Sequence, residues 1–384
     1  MANALLLGGG APTLTLEAGA LAALHDNEVR FDIVSTAGAG MLVGLLFVAP
    51  KGTTARQALE NTREMGVHDS IYDLFPVNFK VFHKPGSLAD GYRRWLLSLP
   101  RLVPGQDLGS RLLADWMALW FAALCPSDLS SRSLGLCDHA PWIDEVVDFD
   151  KLKKFPGEFY MNAYCLEDQR MDIFDKYEIT PDHFRAALAF PLIYPPFKLN
   201  GKTYIEGSAI DTLCFHGVLD YYERREKKKE RLKPLDHIVI FDVLSSENII
   251  REPRTLYDAW VQSIMIPLVE IAKDDIRLFK YRHKDKWADK WGKDGEEFLL
   301  QLKFNIPKEH WPYVLDWSYS NLSKLYDIGY EAGLRFYEEH GDKLKSAAGP
   351  VAQAQIDTPP DLPRGEPAPR RSSGRGTRPR AGRG

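Results

Sequence analysis

The chain has 384 residues, 45% apolar and 27% charged, which is enough apolar material for one large core or two smaller ones and excludes wholesale disorder. Its formal charge is −4, yet the stretch 351–384 carries seven Arg against Asp357, Asp361 and Glu366, so the rest of the chain is near −8. A body of that sign has little with which to neutralise phosphates in bulk, which argues against nucleic acid as its partner.

Leu5, Leu6 and Leu7 run into Gly8, Gly9 and Gly10, and over 14–24 Ala and Leu recur at helical spacing. This order predicts strand, glycine loop, helix. A second unit repeats it, with 31–35 as strand, Gly38 to Gly40 as turn and 41–47 as helix. Two short buried strands, each feeding a helix through glycines, predict a parallel sheet with crossover helices. The interval 33–50 is uncharged over eighteen residues, the nominal length of a membrane span. Gly38, Gly40 and Gly44 interrupt it, and Val and Ile gather before the glycines while Leu follows them, so strand, turn and helix explain it better.

From about 71 to 136 the texture changes to helical, aromatic segments broken by proline, among them 95–100 and 112–124, which predicts a helical insert over the core. Strands resume at 158–164 and 202–206. A charged helix is expected over 221–233, a core strand over 237–244, and further helices over 259–290 and 322–340. From about 347 Pro, Gly, Arg and Ser dominate, the composition of a disordered tail. The expected organisation is therefore an α/β domain over 1–346, with the insert at about 71–136, and a disordered tail over 347–384.

Cys125, Cys137, Cys165 and Cys214 are far apart and form no C-x-x-C pair, as expected of buried thiols in a reducing compartment. Cys137, Asp138 and His139 invite a catalytic reading, but neighbours in sequence rarely meet as nucleophile and base. No zinc or calcium spacing is present, and the N-terminus lacks the basic region and cleavage site of a secretory signal. These features lead us to expect a cytoplasmic protein with no metal or other cofactor, and they leave the oligomeric state open.

Three blocks together resemble the patatin-like phospholipase family. They are Gly8-Gly9-Gly10-Ala11-Pro12-Thr13 with Gly19 in the following helix, then 31–44 around Gly38 and Gly40, then 186–197 continuing to Glu206, Gly207 and Ser208. The resemblance covers roughly 4–218, interrupted by the insert. It implies an α/β fold with a mostly parallel central sheet flanked by helices, and lipids or other acyl esters as the ligand class. It also implies a serine on a tight strand-to-helix elbow, an aspartate as its base without histidine, and a glycine loop offering N–H groups to the oxyanion.

The sequence departs from that pattern where the chemistry sits. The nucleophile position falls on Gly38, and the motif's first glycine is Thr36. The dyad-acid position is Glu206, one methylene longer than aspartate, followed by the motif glycine Gly207. In the oxyanion loop of Gly8, Gly9 and Gly10, Pro12 and Thr13 replace the family's basic residue and next glycine. Gly40 keeps its place in the elbow. Whether the chain is an enzyme therefore stays open. One reading is an acyl-lipid-binding protein without standard Ser–Asp hydrolysis. Another is an active acyl hydrolase in which Thr36 or Ser35, or a water activated by Glu206, replaces the missing serine. A third is a scaffold that recruits partners through the insert or the Arg-rich tail. Glu206 also has a plain structural reading, as a turn carboxylate capping backbone N–H groups.

Two segments bear on membranes. Residues 112–124 carry Trp116, Trp120 and Phe121 with only Asp115 charged, as in a buried cap helix or one lying at a lipid interface. Residues 279–291 interleave aromatic and basic side chains, which suits either anionic headgroups or a solvated amphipathic helix. Peripheral contact with a lipid surface is expected through one of these.

Overall fold

The first strand, β1 (Ala2–Leu7), is buried along its whole length, as a central parallel strand must be when helices cover both faces of its sheet. Its side chains alternate between two cores: Leu5 and Leu7 enter the larger one, Ala4 and Leu6 the smaller one on the opposite face. These features belong to a computed structural model that describes residues 2–99, 107–228, 234–241, 243–244, 252–287, 298–307, 309–310 and 316–346.

Seven further strands complete the sheet: β2 (Ile33–Thr36), β3 (Glu158–Cys165), β4 (Arg170–Asp175), β5 (Phe197–Leu199), β6 (Lys202–Glu206), β7 (Leu235–Phe241) and β8 (Leu299–Leu302). The order is β5-β6-β3-β2-β1-β7-β8, with β4 also paired to β3. The β3–β2, β2–β1, β1–β7 and β7–β8 pairs are parallel, while β4 and β6 run antiparallel to β3 and β5 antiparallel to β6. The mostly parallel sheet flanked by helices is the one expected from the strand–glycine–helix units. β4, β5 and β8 are additions, since short or charged strands at the margins of a sheet carry little periodic signal.

One detail of register positions the site. β2 pairs with β3 through Ile33↔Glu158 to Thr36↔Met161, and β4 occupies the opposite edge of β3 from Tyr160 to Cys165. β6 pairs with Ala163 to Cys165, so it joins β3 on the edge that β2 vacates when its strand ends. Glu206, opposite Ala163, therefore lies just beyond the C-terminal end of β2, where open α/β sheets place their ligands.

On the larger core's side, the helices Leu14–Asp26 and Tyr319–Ser346 cross in close contact. A Cβ on Gly19 or Gly329 would run into the carbonyl of Tyr326 or Leu16 on the facing helix, so glycine is what lets these backbones approach. The charged helix runs Phe215–Lys228, with the expected remainder, 229–233, outside the described residues. The long helix expected over 259–290 is Leu256–His283, and 288–290 lie outside the described residues, as does the whole expected tail from 347. Between 69 and 124 the chain forms the helices Asp69–Leu74, Ser87–Leu97 and Leu108–Leu124, around a small third core of Val67, Ile71 and Phe79. Among the described residues, no helix is long and apolar enough to cross a membrane.

Candidate active site

The elbow forms because β2 ends against β1 and the chain turns at once. Ala37 N–H continues the ladder to Leu7 O at 3.0 Å, and the next helix begins with Gly40 N–H on Ala37 O and Met41 N–H on Gly38 O, both 3.1 Å. Gly38 sits at φ +50°, the left-handed conformation of a strained turn that glycine adopts without penalty. A Cβ on Gly40 would stand 2.8 Å from the carbonyl carbon and oxygen of Leu7, so the elbow's second glycine is required by backbone contact.

The space beside Gly38 is filled. A Cβ built on it would stand 2.5 Å from Glu206 Oε1 and 2.6 Å from Ser208 Oγ, with Gly9 Cα at 3.0 Å. Glu206 ends β6, its N–H bound to Ala189 O at 3.0 Å, and Gly207–Ala209 then makes a single tight turn. That turn folds Ser208 back so that its hydroxyl bonds Glu206 Oε1. Ser208 O accepts from Thr212 Oγ1 at 3.0 Å, which fixes the turn. Gly207 is needed too: a Cβ there would lie 2.5 Å from Asn162 Oδ1. Glu206 is 7% exposed and Ser208 3%. Burial pushes the Glu206 carboxyl from its usual 4.5 up to about 7, against the opposing pull of the Ser208 hydrogen bond.

The glycine loop lies over this pair. Gly8 N–H donates to Glu17 Oε1 at 3.0 Å and Phe241 O at 3.2 Å, and Gly9 N–H donates to Thr212 O at 3.3 Å. Two of the three expected oxyanion donors are thus engaged within the protein, and Pro12 contributes no N–H at all. The N–H groups of Gly10 and Gly38 donate to no acceptor among the described residues. A Cβ on Gly9 would stand 2.7 Å from Ser208 Cβ, so Gly9 makes room for Ser208.

The two hydroxyls expected as substitute nucleophiles point elsewhere. Ser35 Oγ donates to Cys214 O at 2.7 Å and Thr36 Oγ1 to Tyr160 O at 2.9 Å, and both residues are fully buried. Successive residues of β2 face opposite sides of the sheet: Ser35 lies against Gly217, and the Thr36 methyl against Gly44. The structure brings Gly38, Gly9 and Glu206 together, and it adds Ser208, to which the sequence reading gave no role. A hydroxyl two residues beyond the dyad-acid position was the available signal. Cys137 and His139 show no catalytic pairing, since burial pushes the thiol up to about 11 and the imidazole down to about 4.

The two candidate lipid segments part company. Phe279 and Trp287 are buried, with ring centroids 5.6 Å apart and Phe215 stacked 4.3 Å from Phe279, so these aromatics belong to the smaller core; Trp291 lies outside the described residues. The helix Leu108–Leu124 is turned the other way. Its inward stripe is Asp115, Ala118, Leu119 and Ala122, while Leu113, Trp116, Trp120 and Leu124 are 42–69% exposed. Asp115 faces inward to meet Lys80 Nζ at 2.9 Å and the His68 N–H at 2.6 Å.

The family description "Patatin-like phospholipase" matches residues 5–219, which take in the glycine loop, the elbow, the insert and the Glu206 turn. Among solved structures, VipD from Legionella pneumophila is similar at a TM-score of 0.40 and 10% identity, over 88% of this chain. The chain spans 66% of the VipD chain, just under two thirds of it. No curated protein matches. With more than half its length matched, the chain belongs to the patatin-like phospholipase family.

Proposed function

We propose that this protein engages an acyl lipid, holding it at the Gly38–Glu206 centre while the helical insert rests on a lipid surface, and that it does so without the Ser–Asp dyad of its family. The observation that carries this reading is the reversed helix Leu108–Leu124. Water-facing surfaces rarely gather Trp116, Trp120, Leu113 and Leu124 on one stripe while the helix's lone carboxylate turns inward. Trp in particular suits the boundary between headgroups and acyl chains. The family supplies the ligand class, and Gly38 removes the standard nucleophile.

A second reading has its own support. A carboxylate titrating at about 7 suits a general base at neutral pH, so hydrolysis of a bound acyl ester with Glu206 as base is compatible with the same site. Ser35 and Thr36 serve that reading poorly, because their hydroxyls are committed to Cys214 O and Tyr160 O.

Binding is tested directly by titrating the protein with oleate and with an ether-linked lysophospholipid while following tryptophan fluorescence. Saturable binding of either is the expected result. A flat titration with both would overturn the reading.

A further inference from the structure

We propose that Ser208 carries the nucleophilic hydroxyl that position 38 lacks, and that with Glu206 as its base it forms an acyl-enzyme from carboxylic esters. The inference deepens the reading above and rests on it, since it requires acyl esters to reach this centre.

Within one buried site Gly38 lacks a side chain, the carboxylate at 206 is longer than aspartate, and residue 208 bears a hydroxyl. The Ser208 oxygen lies 2.6 Å from where a side chain at 38 would begin, and it is hydrogen-bonded to the Glu206 carboxylate. A hydroxyl–carboxylate pair therefore stands beside the elbow, with the hydroxyl supplied by the Glu206 turn instead of the β2 turn. The neighbours fit this placement. Among the described glycines, a Cβ on Gly9 or on Gly38 would collide with Ser208, and Thr212 fixes the turn from behind.

The electrophile has donors to meet. Gly8 and Gly9 spend their N–H groups on protein acceptors, which leaves those of Gly10 and Gly38, on the two glycine segments that adjoin Ser208, for a developing oxyanion. Ser208 is 3% exposed, while Gly10 in the adjoining loop is half-buried and Ala11 exposed.

The chemistry balances without any further reactant. Ser208 Oγ attacks the acyl carbon as its proton passes to Glu206 Oε1, giving a tetrahedral oxyanion. Collapse breaks the ester C–O bond, and the departing alkoxide takes the proton from Glu206 and leaves as the alcohol. Water then attacks the acyl-serine, gives its proton to Glu206, and the carboxylic acid departs as Ser208 recovers its hydrogen. Glu206 must hold a proton between these transfers, as a carboxyl group in a desolvated site readily does.

The test is covalent capture by a long-chain alkyl fluorophosphonate. Ser208 would displace fluoride from it, and the adduct is located by peptide mass spectrometry on the wild-type protein, so that no variant needs to fold for the answer. The expected result is an adduct on Ser208, absent from Ser208→Ala and formed at least tenfold more slowly by Glu206→Gln. A merely structural Ser208 would not be phosphonylated. An adduct on any other side chain overturns the proposal. No adduct, in protein that still binds the ether-linked lysophospholipid saturably, overturns Ser208 as nucleophile and leaves lipid binding standing. Neither adduct nor binding overturns the functional reading and this inference with it.

Discussion

Two carboxylates are almost equally hidden in this protein, Asp115 in the insert at 3% exposure and Glu206 in the centre at 7%, and they are treated in opposite ways. Asp115 meets a cation and a backbone N–H, Lys80 at 2.9 Å and His68 at 2.6 Å, so its charge is answered where it lies. Glu206 meets a hydroxyl and, among the described residues, no cation, so burial acts on it unopposed by any positive charge and its carboxyl titrates at about 7. The first arrangement is a lock that ties a helix to the body. The second leaves a buried carboxyl whose proton exchanges near neutral pH.

The largest effect expected from this contrast is a stability that depends on pH at Glu206. The native carboxyl keeps its proton up to about 7, while the unfolded chain releases it at the usual 4.5, so the native state binds more protons between those values. The contribution is fully present below 4.5 and is lost as pH rises through about 7, amounting to on the order of 3 kcal/mol. Asp275, raised from 3.8 to about 7 by burial and then by Asp211, adds a fall of the same sign, so the measurement is a difference. Urea unfolding of wild type and Glu206→Gln from pH 4 to 8 should show the wild type losing more stability with rising pH. Parallel curves would mean that Glu206 is not held protonated. Covalent capture at Ser208 should move the other way, rising through about 7 as the base loses its proton. Tyr194, in electrostatic contact with Glu206, has its phenol pushed far up by burial and stays neutral in this range.

The insert's carboxylate should respond less. Asp115→Ala removes the acceptor of the His68 N–H at the start of the helix Asp69–Leu74 and one partner of Lys80, which keeps the carbonyls of Glu64 and Gly66. About 2 kcal/mol is expected, read as a shift in the urea midpoint. A change below about 0.5 kcal/mol would show that the pair does not anchor the helix.

How much of this was legible in the sequence differs between the two regions for physical reasons. The elbow and the glycine loop were readable because glycine is the one residue whose absent side chain is itself the signal. Gly40 against Leu7 and Gly9 against Ser208 are contacts that leave no other choice. Glu206 was readable from its place in the motif. The contact of Ser208 with Glu206 was not, because it depends on one tight turn folding the serine back over the carboxylate two residues earlier. The partners of Ser35 and Thr36 were not readable either, since adjacent positions on a strand face opposite sides and the two hydroxyls donate to the carbonyls of Cys214 and Tyr160. In the insert, periodicity announced the helix over 108–124 but not which side of it faces the body. Asp115 has a partner on one side only, and that settles the direction.

The smallest expected effect on stability is the most informative about function. Trp116 and Trp120 meet edge to face, 6.2 Å apart, on the outer side of the insert, and half their surface already touches water. If that stripe only completes the fold, replacing both with Ser should destabilise the protein, as deleting packed aromatics does, by several kcal/mol. If it rests on lipid, Trp116→Ser with Trp120→Ser should leave the urea midpoint within about 0.5 kcal/mol of wild type. Sedimentation with phosphatidylcholine vesicles should then fall at least tenfold, since two interfacial indoles supply much of a shallow helix's grip. Phe279 and Trp287 are the internal control: they are aromatic residues of the other candidate segment, packed in the smaller core, and truncating either should unfold the protein before it alters vesicle binding. A double Trp variant that keeps both its stability and its vesicle binding would show that the reversed polarity of the insert serves something other than a lipid surface.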